Sequence, residues 1–407
     1  MRILLAQFYS HQPTPDYGII AAELRARDHQ AWVATPDAKG DLCVRAGEQL
    51  VATVPGVQKP VGRFAGLPII SSLLWKKAAF AYEQRVRKML RQLEPNIVQI
   101  NPADLGLFEI LPLFMPNWMQ FILDFRQIDE RDYGRSVFGR LKNAFYRFKR
   151  ETVARYVYTR AAFLHAAGAR KVLGVNWRKW GVVVPLGVAC RFLEQPHPFE
   201  QPDKLEAKTT FIYLGTISTQ RKLDLLLLAA KKMLHQTNQF EITFIGPDAT
   251  NGFYQTMIAD LDLGQNITIK APVAYEDVPA VLVTYNVALA IVPERPFDWQ
   301  YHPTLKALEY RALGIPMIAT DFEPNRHIVE NGRNGLLVNN TVDDIADAML
   351  CYVQDHDFRT KSGQDAAAMR QGRPWHDVVD RYVTLYTSLL PKPDALEAEK
   401  QIRQTTS

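Results

Sequence analysis

Residues 286–321 constrain the fold more than any other stretch. They read NVALAIVPE, then PTLKALEYRALG after an eight-residue loop, then IPMIATD. Two short runs of small and branched apolar residues flank one amphipathic helical segment. Strands buried on both faces read in this way, and a helix between two of them implies a parallel crossover. Pro303 and Thr304 suit a helix start. Lys306 and Glu309 are three apart, so they share one helical face. In an open parallel sheet, ligands sit at the carboxyl ends of strands, where such helices begin. An anionic ligand there would meet free backbone N–H groups and a cation together. The same two residues also suit a solvated i,i+3 ion pair, which contributes little.

The alternation runs through the chain. Arg2–Phe8 reads as a strand, Gly18 opens the helix IIAAELRARDH, and QAWVATPD reads as a second strand. This βαβ opening predicts an α/β class. Residues 39–73 are mixed, with one strand within VATVPGV. A long helix follows from Leu74 to Leu93, then strands at NIVQI and MQFILD. AAFLHAAG and VVVPLGV close the first half. The segment Pro196–Lys208, with its prolines and charges, reads as a linker. From TTFIYLGT onward the alternation restarts. A chain of 407 residues exceeds one hydrophobic core. Two doubly wound domains are expected, over 1–195 and 196–390, with a polar tail over 391–407 and a final helix free to pack back on the first domain.

Composition removes several function classes. Met1–Tyr9 is too short and too soon followed by polar residues for a secretory leader, and reads as a first strand. No run of about 18 apolar residues occurs, so no spanning helix is expected. Cys43, Cys190 and Cys351 are scattered, without metal-ligand spacing or a disulfide framework, which suits a reducing cytoplasm. The net charge of +5 is uneven. Thirteen Lys and Arg face only Asp132 and Glu151 between Arg131 and Trp180. This local excess fits an anionic surface and not a nucleic-acid partner.

Three motifs carry chemistry. At Tyr213–Lys222 a strand ends in G-T-x-S-x-x-R-K before a helix. Gly215 permits a tight turn, Thr216 and Ser218 offer hydroxyls, and Arg221 and Lys222 place two cations where a diphosphate is held. The spacing is not that of a Walker loop, and a surface turn with solvated charges reads the same way. In the central helix, a Glu309 carboxylate can accept from two vicinal hydroxyls while Lys306 faces phosphate. At the exit of MQFILD, Asp124 and Arg126 suit either a ligand cleft or a structural salt bridge. His11, His302 and His327 lie in loops without metal spacing. No nucleophile elbow and no clear GxGxxG is present.

The basic segment interleaves aromatics. On a helix from Gly139, the residues Leu141, Phe145 and Phe148 share a face, and Arg140, Arg147 and Arg150 lie largely elsewhere. That pattern over 135–160 suits a helix lying on an anionic membrane surface. It also suits a helix whose apolar stripe packs on its own core.

The stretches YLGTISTQRKLDLLLLA, FIGPD, ITIKAPVAYEDVPAVL, PTLKALEYRALGIPMIATD and HIVENGRNGLLV, in this order, resemble glycosyltransferase family 4. MRILL with Gly18, FILDFRQID and VVVPLGVACRF resemble it more weakly. The resemblance implies a GT-B fold, with two Rossmann-like domains facing across a cleft. It implies transfer of a sugar from a nucleoside-diphosphate sugar to a saccharide or lipid-linked acceptor, with retention and without a metal or other cofactor. Arg221 and Lys222 would hold the diphosphate and Glu309 the ribose. Gly18, Gly215, Thr216, Thr304 and Lys306 would line the donor, with the base near Pro272 and Val273. Asp124, Arg126 and His11 would lie toward the acceptor or transferred sugar. The family's second glutamate, eight residues before Glu309, is here Tyr301; its acidic PNGVD-like turn is here PLGVA, with Ala189 in place of the acid. The implied location is the cytoplasm, peripheral to the membrane. An epimerase of the same fold, and an inactive relative that docks on membranes, are the alternatives.

Overall fold

A computed structural model of the chain describes residues 1–8, 15–57, 68–101, 108–126, 128, 136–196, 208–294 and 299–391. The chain divides into two compact units. One comprises residues 1–126, 131–185 and 376–407, and the other 127–130 and 186–375.

The first unit is built on an eight-stranded sheet. Its strands are β1 (Arg2–Ala6), β2 (Gln30–Pro36), β3 (Leu42–Ala46), β4 (Gln49–Val54), β5 (Ile97–Ile100), β6 (Gln120–Phe125), β7 (Arg160–Phe163) and β8 (Gly181–Val183). Their order is β4-β3-β2-β1-β5-β6-β7-β8. β1, β2 and β5 to β8 are parallel, and β3 and β4 add an antiparallel edge. Ile3, Leu4, Leu5 and Ala6 of β1 are all buried, as expected of a strand covered on both faces. The helices are α1 (Pro15–Arg25), α2 (Pro68–Leu93), α3 (Val137–Tyr156) and α4 (Ala166–Leu173). The mixed region expected to hold one strand thus holds a hairpin, turned at Gly47 with φ +65°.

The second unit has a six-stranded parallel sheet. Its strands are β9 (Thr209–Leu214), β10 (Phe240–Ile245), β11 (Ile267–Lys270), β12 (Val287–Ala290), β13 (Met317–Thr320) and β14 (Gly335–Val338). The order β11-β10-β9-β12-β13-β14 places a topological switch between β9 and β12. The helices are α5 (Cys190–Glu194), α6 (Asp224–Leu234), α7 (Phe253–Asp260), α8 (Val278–Leu282), α9 (Leu305–Leu313), α10 (Glu323–Arg326), α11 (Val342–Gln354) and α12 (His356–Ala368). Alternate residues of the strands feed opposite faces. Phe211, Tyr213, Val287 and Leu289 pack under α6 and α11, and Ile212, Ala288 and Ala290 pack under α9. The sheet is therefore the middle of three layers.

The unit boundary and the start of α1 differ from expectation, and the last helix packs back on the first unit as anticipated. The unit boundary falls at residues 185/186, not at 195/196. The last helix, α13 (Trp375–Leu389), lies almost wholly in the first unit, where Val378, Val379, Tyr382 and Tyr386 are completely buried. Gly18 does not open α1: the helix begins at Pro15, so Gly18 sits in its first turn with open space around its α-carbon.

Candidate active site

The site of the second unit is built at the switch between β9 and β12. The chain leaves β9 at Gly215, whose φ is +138°. The neighbouring strand leaves at Gly246, with φ +153°. Leu214 pairs with Ile245, so these glycines lie side by side. A Cβ on Gly246 would come 2.1 Å from the Gly215 carbonyl oxygen. Only glycine lets the two strand exits approach this closely.

α9 brings the two charged residues to this place. Thr304 stands at its N-cap, although its side chain makes no capping bond, and Gly314 closes it in the left-handed region. Ala307, Tyr310 and Leu313 fix the helix on the sheet. The Tyr310 hydroxyl accepts a hydrogen bond from the Leu214 amide at 3.0 Å, tying α9 to the end of β9.

Lys306 and Glu309 are both buried, which removes the surface ion-pair reading. The Lys306 ammonium lies 3.6 Å from the centre of the Tyr213 ring and has no hydrogen-bond partner among the described residues. It also lies 3.6 Å from where a Cβ on Gly215 would stand. Burial, with the Arg221 charge, pulls its pKa well below that of an ordinary lysine, and Glu309 only partly offsets this. Burial pushes the Glu309 carboxyl up to about 7, against the hydrogen bond from Tyr275 and the charge of Lys306. The Tyr275 hydroxyl donates to Glu309 Oε1 at 3.0 Å.

The other residues expected to line a donor lie in the loops that follow β9 and β11, and the Arg221 charge reaches Lys306. Arg221 ends a short 3-10 turn, Thr219–Arg221, with its guanidinium 4.3 Å from the centre of the Trp299 ring. Lys222 follows in the left-handed region, φ +50°, and is exposed. The Thr216 carbonyl accepts from the Tyr213 hydroxyl at 3.3 Å. Pro272 is exposed and Val273 packs on the α9 side of the sheet, in the loop that carries Tyr275. Among the described residues, a buried ammonium without hydrogen-bond partners, a buried carboxyl that accepts from Tyr275, and a cation at a helix entrance can together hold an anion linked to a polyol.

In the first unit, Asp124 and Arg126 take the contacts of a structural salt bridge. Asp124 Oδ2 accepts from Arg126 Nε at 2.8 Å and from Gln99 Nε2 at 2.7 Å. Arg126 also pairs with Asp16 at 2.7 Å and donates to the Tyr382 hydroxyl. Both are buried, so within this unit they form a framework and not an open binding edge. His11 lies outside the described residues. Sequence reasoning missed Tyr213, Tyr275, Trp299 and Gly246. Of these, only Gly246 left a signal, as a glycine at a strand exit one strand away from Gly215.

Residues 195–369 match the family described as Glycosyl transferases group 1. The chain is similar in structure to a sucrose-phosphate synthase from Thermosynechococcus elongatus, with TM-score 0.67 and 14% identity over 95% of this chain and 98% of that one. It is similar to the Anabaena protein HepE, solved in complex with UDP-glucose, with TM-score 0.65 and 14% identity over 95% of this chain and 100% of that one. A glycosyltransferase from Rickettsia africae gives TM-score 0.63 at 14% identity, over 95% and 98%. No curated protein sequence matches the chain. At these identities the structural likeness is one of fold, and that fold is GT-B, with two Rossmann-like domains.

Proposed function

We propose that this chain, which is group 1-like and of GT-B fold, is a glycosyltransferase. It takes a nucleoside-diphosphate sugar as donor and a saccharide or lipid-linked acceptor. One observation carries the reading: Lys306, a buried cation without hydrogen-bond partners among the described residues, stands beside the buried Glu309 at the strand switch. A diphosphate would supply the missing acceptors for Lys306, and ribose hydroxyls would donate to Glu309. Arg221 and Lys222 would stabilise the charge that develops on the leaving diphosphate. These cations supply what a metal ion supplies in other sites, so the proposed reaction uses none. Pro272 and Val273 would border the base, and Thr216 and Thr304 the phosphates. The complex of HepE with UDP-glucose supports a donor of this chemical class.

In the proposed step the bond from the sugar anomeric carbon to the diphosphate breaks. A bond to the acceptor oxygen forms on the same face, and the acceptor proton passes to the diphosphate. Retention follows from that geometry. Asp124 and Arg126 contribute through the framework of the first unit. The reaction is placed in the cytoplasm, where nucleotide sugars are the donors.

A thermal-shift screen against UDP-, GDP- and ADP-sugars tests the reading, because selective stabilisation names the donor. Anomeric analysis of the product then tests retention. No stabilisation by any nucleotide sugar would sink the proposal. A changed nucleotide sugar released without acceptor would replace it by epimerisation.

A further inference from the structure

α3 presents its apolar residues to solvent. Phe138 is 77%, Leu141 65%, Phe145 60% and Phe148 67% exposed. Its buried residues are instead Gly139, Val153 and Ala154. At about 100° per residue, the four exposed side chains form one stripe, opposite the buried side. The expected alternative, a stripe packed on its own core, is therefore not how this helix sits. The helix is not frayed at its start: Ser136 caps it, accepting from the Gly139 amide at 3.0 Å.

The stripe has basic margins on both sides. Arg140 and Arg147 follow one edge, and Lys142 and Lys149 the other. Lys149 also pairs with Glu109 at 2.6 Å. That contact places α3 beside the 3-10 helix Phe108–Phe114, whose Leu113 is exposed as well. An apolar stripe of this size on a monomer marks an interaction surface.

We infer that α3 is a docking face for an anionic lipid surface, lying flat with its aromatic stripe in the headgroup boundary. Charge selects this occupant. Both margins are positive, so anionic headgroups meet opposite charge on each side. A second copy packed face to face would set these margins against their own like charges. No helix among the described residues is long and apolar enough to cross a membrane, so α3 would rest on the surface. The inference stands without the transfer reading, because it uses only α3 and its neighbour in the first unit. If both hold, the acceptor is of the lipid-linked class.

The test is flotation of the full chain with vesicles of phosphatidylcholine plus phosphatidylglycerol, and with phosphatidylcholine alone. Binding is expected to the anionic vesicles and to weaken with added salt. The double variants Phe145→Ser/Phe148→Ser and Arg140→Glu/Arg147→Glu are each expected to bind at least roughly tenfold more weakly. Melting temperatures should be unchanged, since all four positions are exposed. Absent flotation, or equal flotation with neutral vesicles, would overturn the inference. So would a lipid-free dimer that the Phe145→Ser/Phe148→Ser variant dissociates, because the stripe would then belong to a second copy. Nucleotide binding, measured in parallel, keeps this result separate from that of the proposed reaction.

Discussion

The Lys306 ammonium lies 3.6 Å from the centre of the Tyr213 ring and donates to no group among the described residues. A ring face compensates only part of the hydration that burial removes. The site is therefore destabilising until an anion arrives. Lys306→Met keeps most of the length and removes the charge. It should raise stability by about 1–3 kcal/mol and weaken binding of the stabilising nucleotide by at least roughly tenfold, about 1.4 kcal/mol. Denaturant unfolding and calorimetry read the two effects separately. A variant less stable than the native chain would mean that the Tyr213 contact outweighs desolvation.

Glu309 gives a pH signature. Its folded pKa of about 7 stands above the ordinary 4.5. A carboxyl raised in this way contributes stability below about 4.5, and loses it as pH rises through about 7. Ligand binding should run the other way, because ribose hydroxyls donate to the ionised form. Nucleotide affinity should thus rise with pH across this window. Glu309→Gln should flatten both profiles and lower transfer by more than roughly tenfold. Melting curves and calorimetry from pH about 5 to 8 check this. A pH-independent affinity in the native chain would remove Glu309 from the donor contact.

Gly246→Ala separates backbone packing from chemistry. The new methyl would meet the Gly215 carbonyl oxygen at 2.1 Å, on a backbone with φ +153°. Neither group is the flexible end of a side chain, so one strand exit must move. A loss of about 2–4 kcal/mol is expected, with weaker nucleotide binding. Gly215→Ala should be milder. Its methyl would find Lys306 Nζ at 3.6 Å, an ordinary contact, and suffer only from φ +138°. Equal melting temperatures for the two variants would contradict the close approach.

These residues also show what could be read before the structure. The α/β class and the six parallel strands of the second unit follow from apolar runs separated by helical periodicity, which is local information. Lys306 and Glu309 were visible because a charge pair on an otherwise apolar helix is unusual. Tyr213 and Tyr275 were not visible, since each meets its partner only after β9, α9 and the loop past β11 come together. α12 was missed for a different reason: HDFRTKSGQDAAA has no apolar stripe, and its start depends on the Asp355 side chain accepting from the Phe358 amide at 2.8 Å. The return of α13 to the first unit was anticipated, but the contacts that hold it there were hidden. It rests on contacts such as the Tyr386 hydroxyl to Gln99 Oε1 at 2.6 Å, between residues far apart in the chain.

That helix supplies a last prediction, about Arg126. Burial works against its charge, yet Asp124, Tyr382 and Asp16 outweigh burial and hold its pKa above that of an ordinary guanidinium. Removing the guanidinium would leave the buried Asp124 carboxylate without its cation, beside the neutral Gln99 and Tyr17, and would release Tyr382 of α13. Arg126→Met should therefore lose about 3–5 kcal/mol of stability. Adding Asp124→Asn should restore much of that loss, because the stranded charge is gone, and a double-mutant cycle measures the coupling. Tyr386→Phe should cost about 1 kcal/mol, one buried hydrogen bond. The alternative for Arg126 is direct contact with a sugar or acceptor. In that case Arg126→Met would keep its melting temperature and lose turnover. Unfolding and kinetics of the same variant therefore decide between a framework residue and a ligand contact.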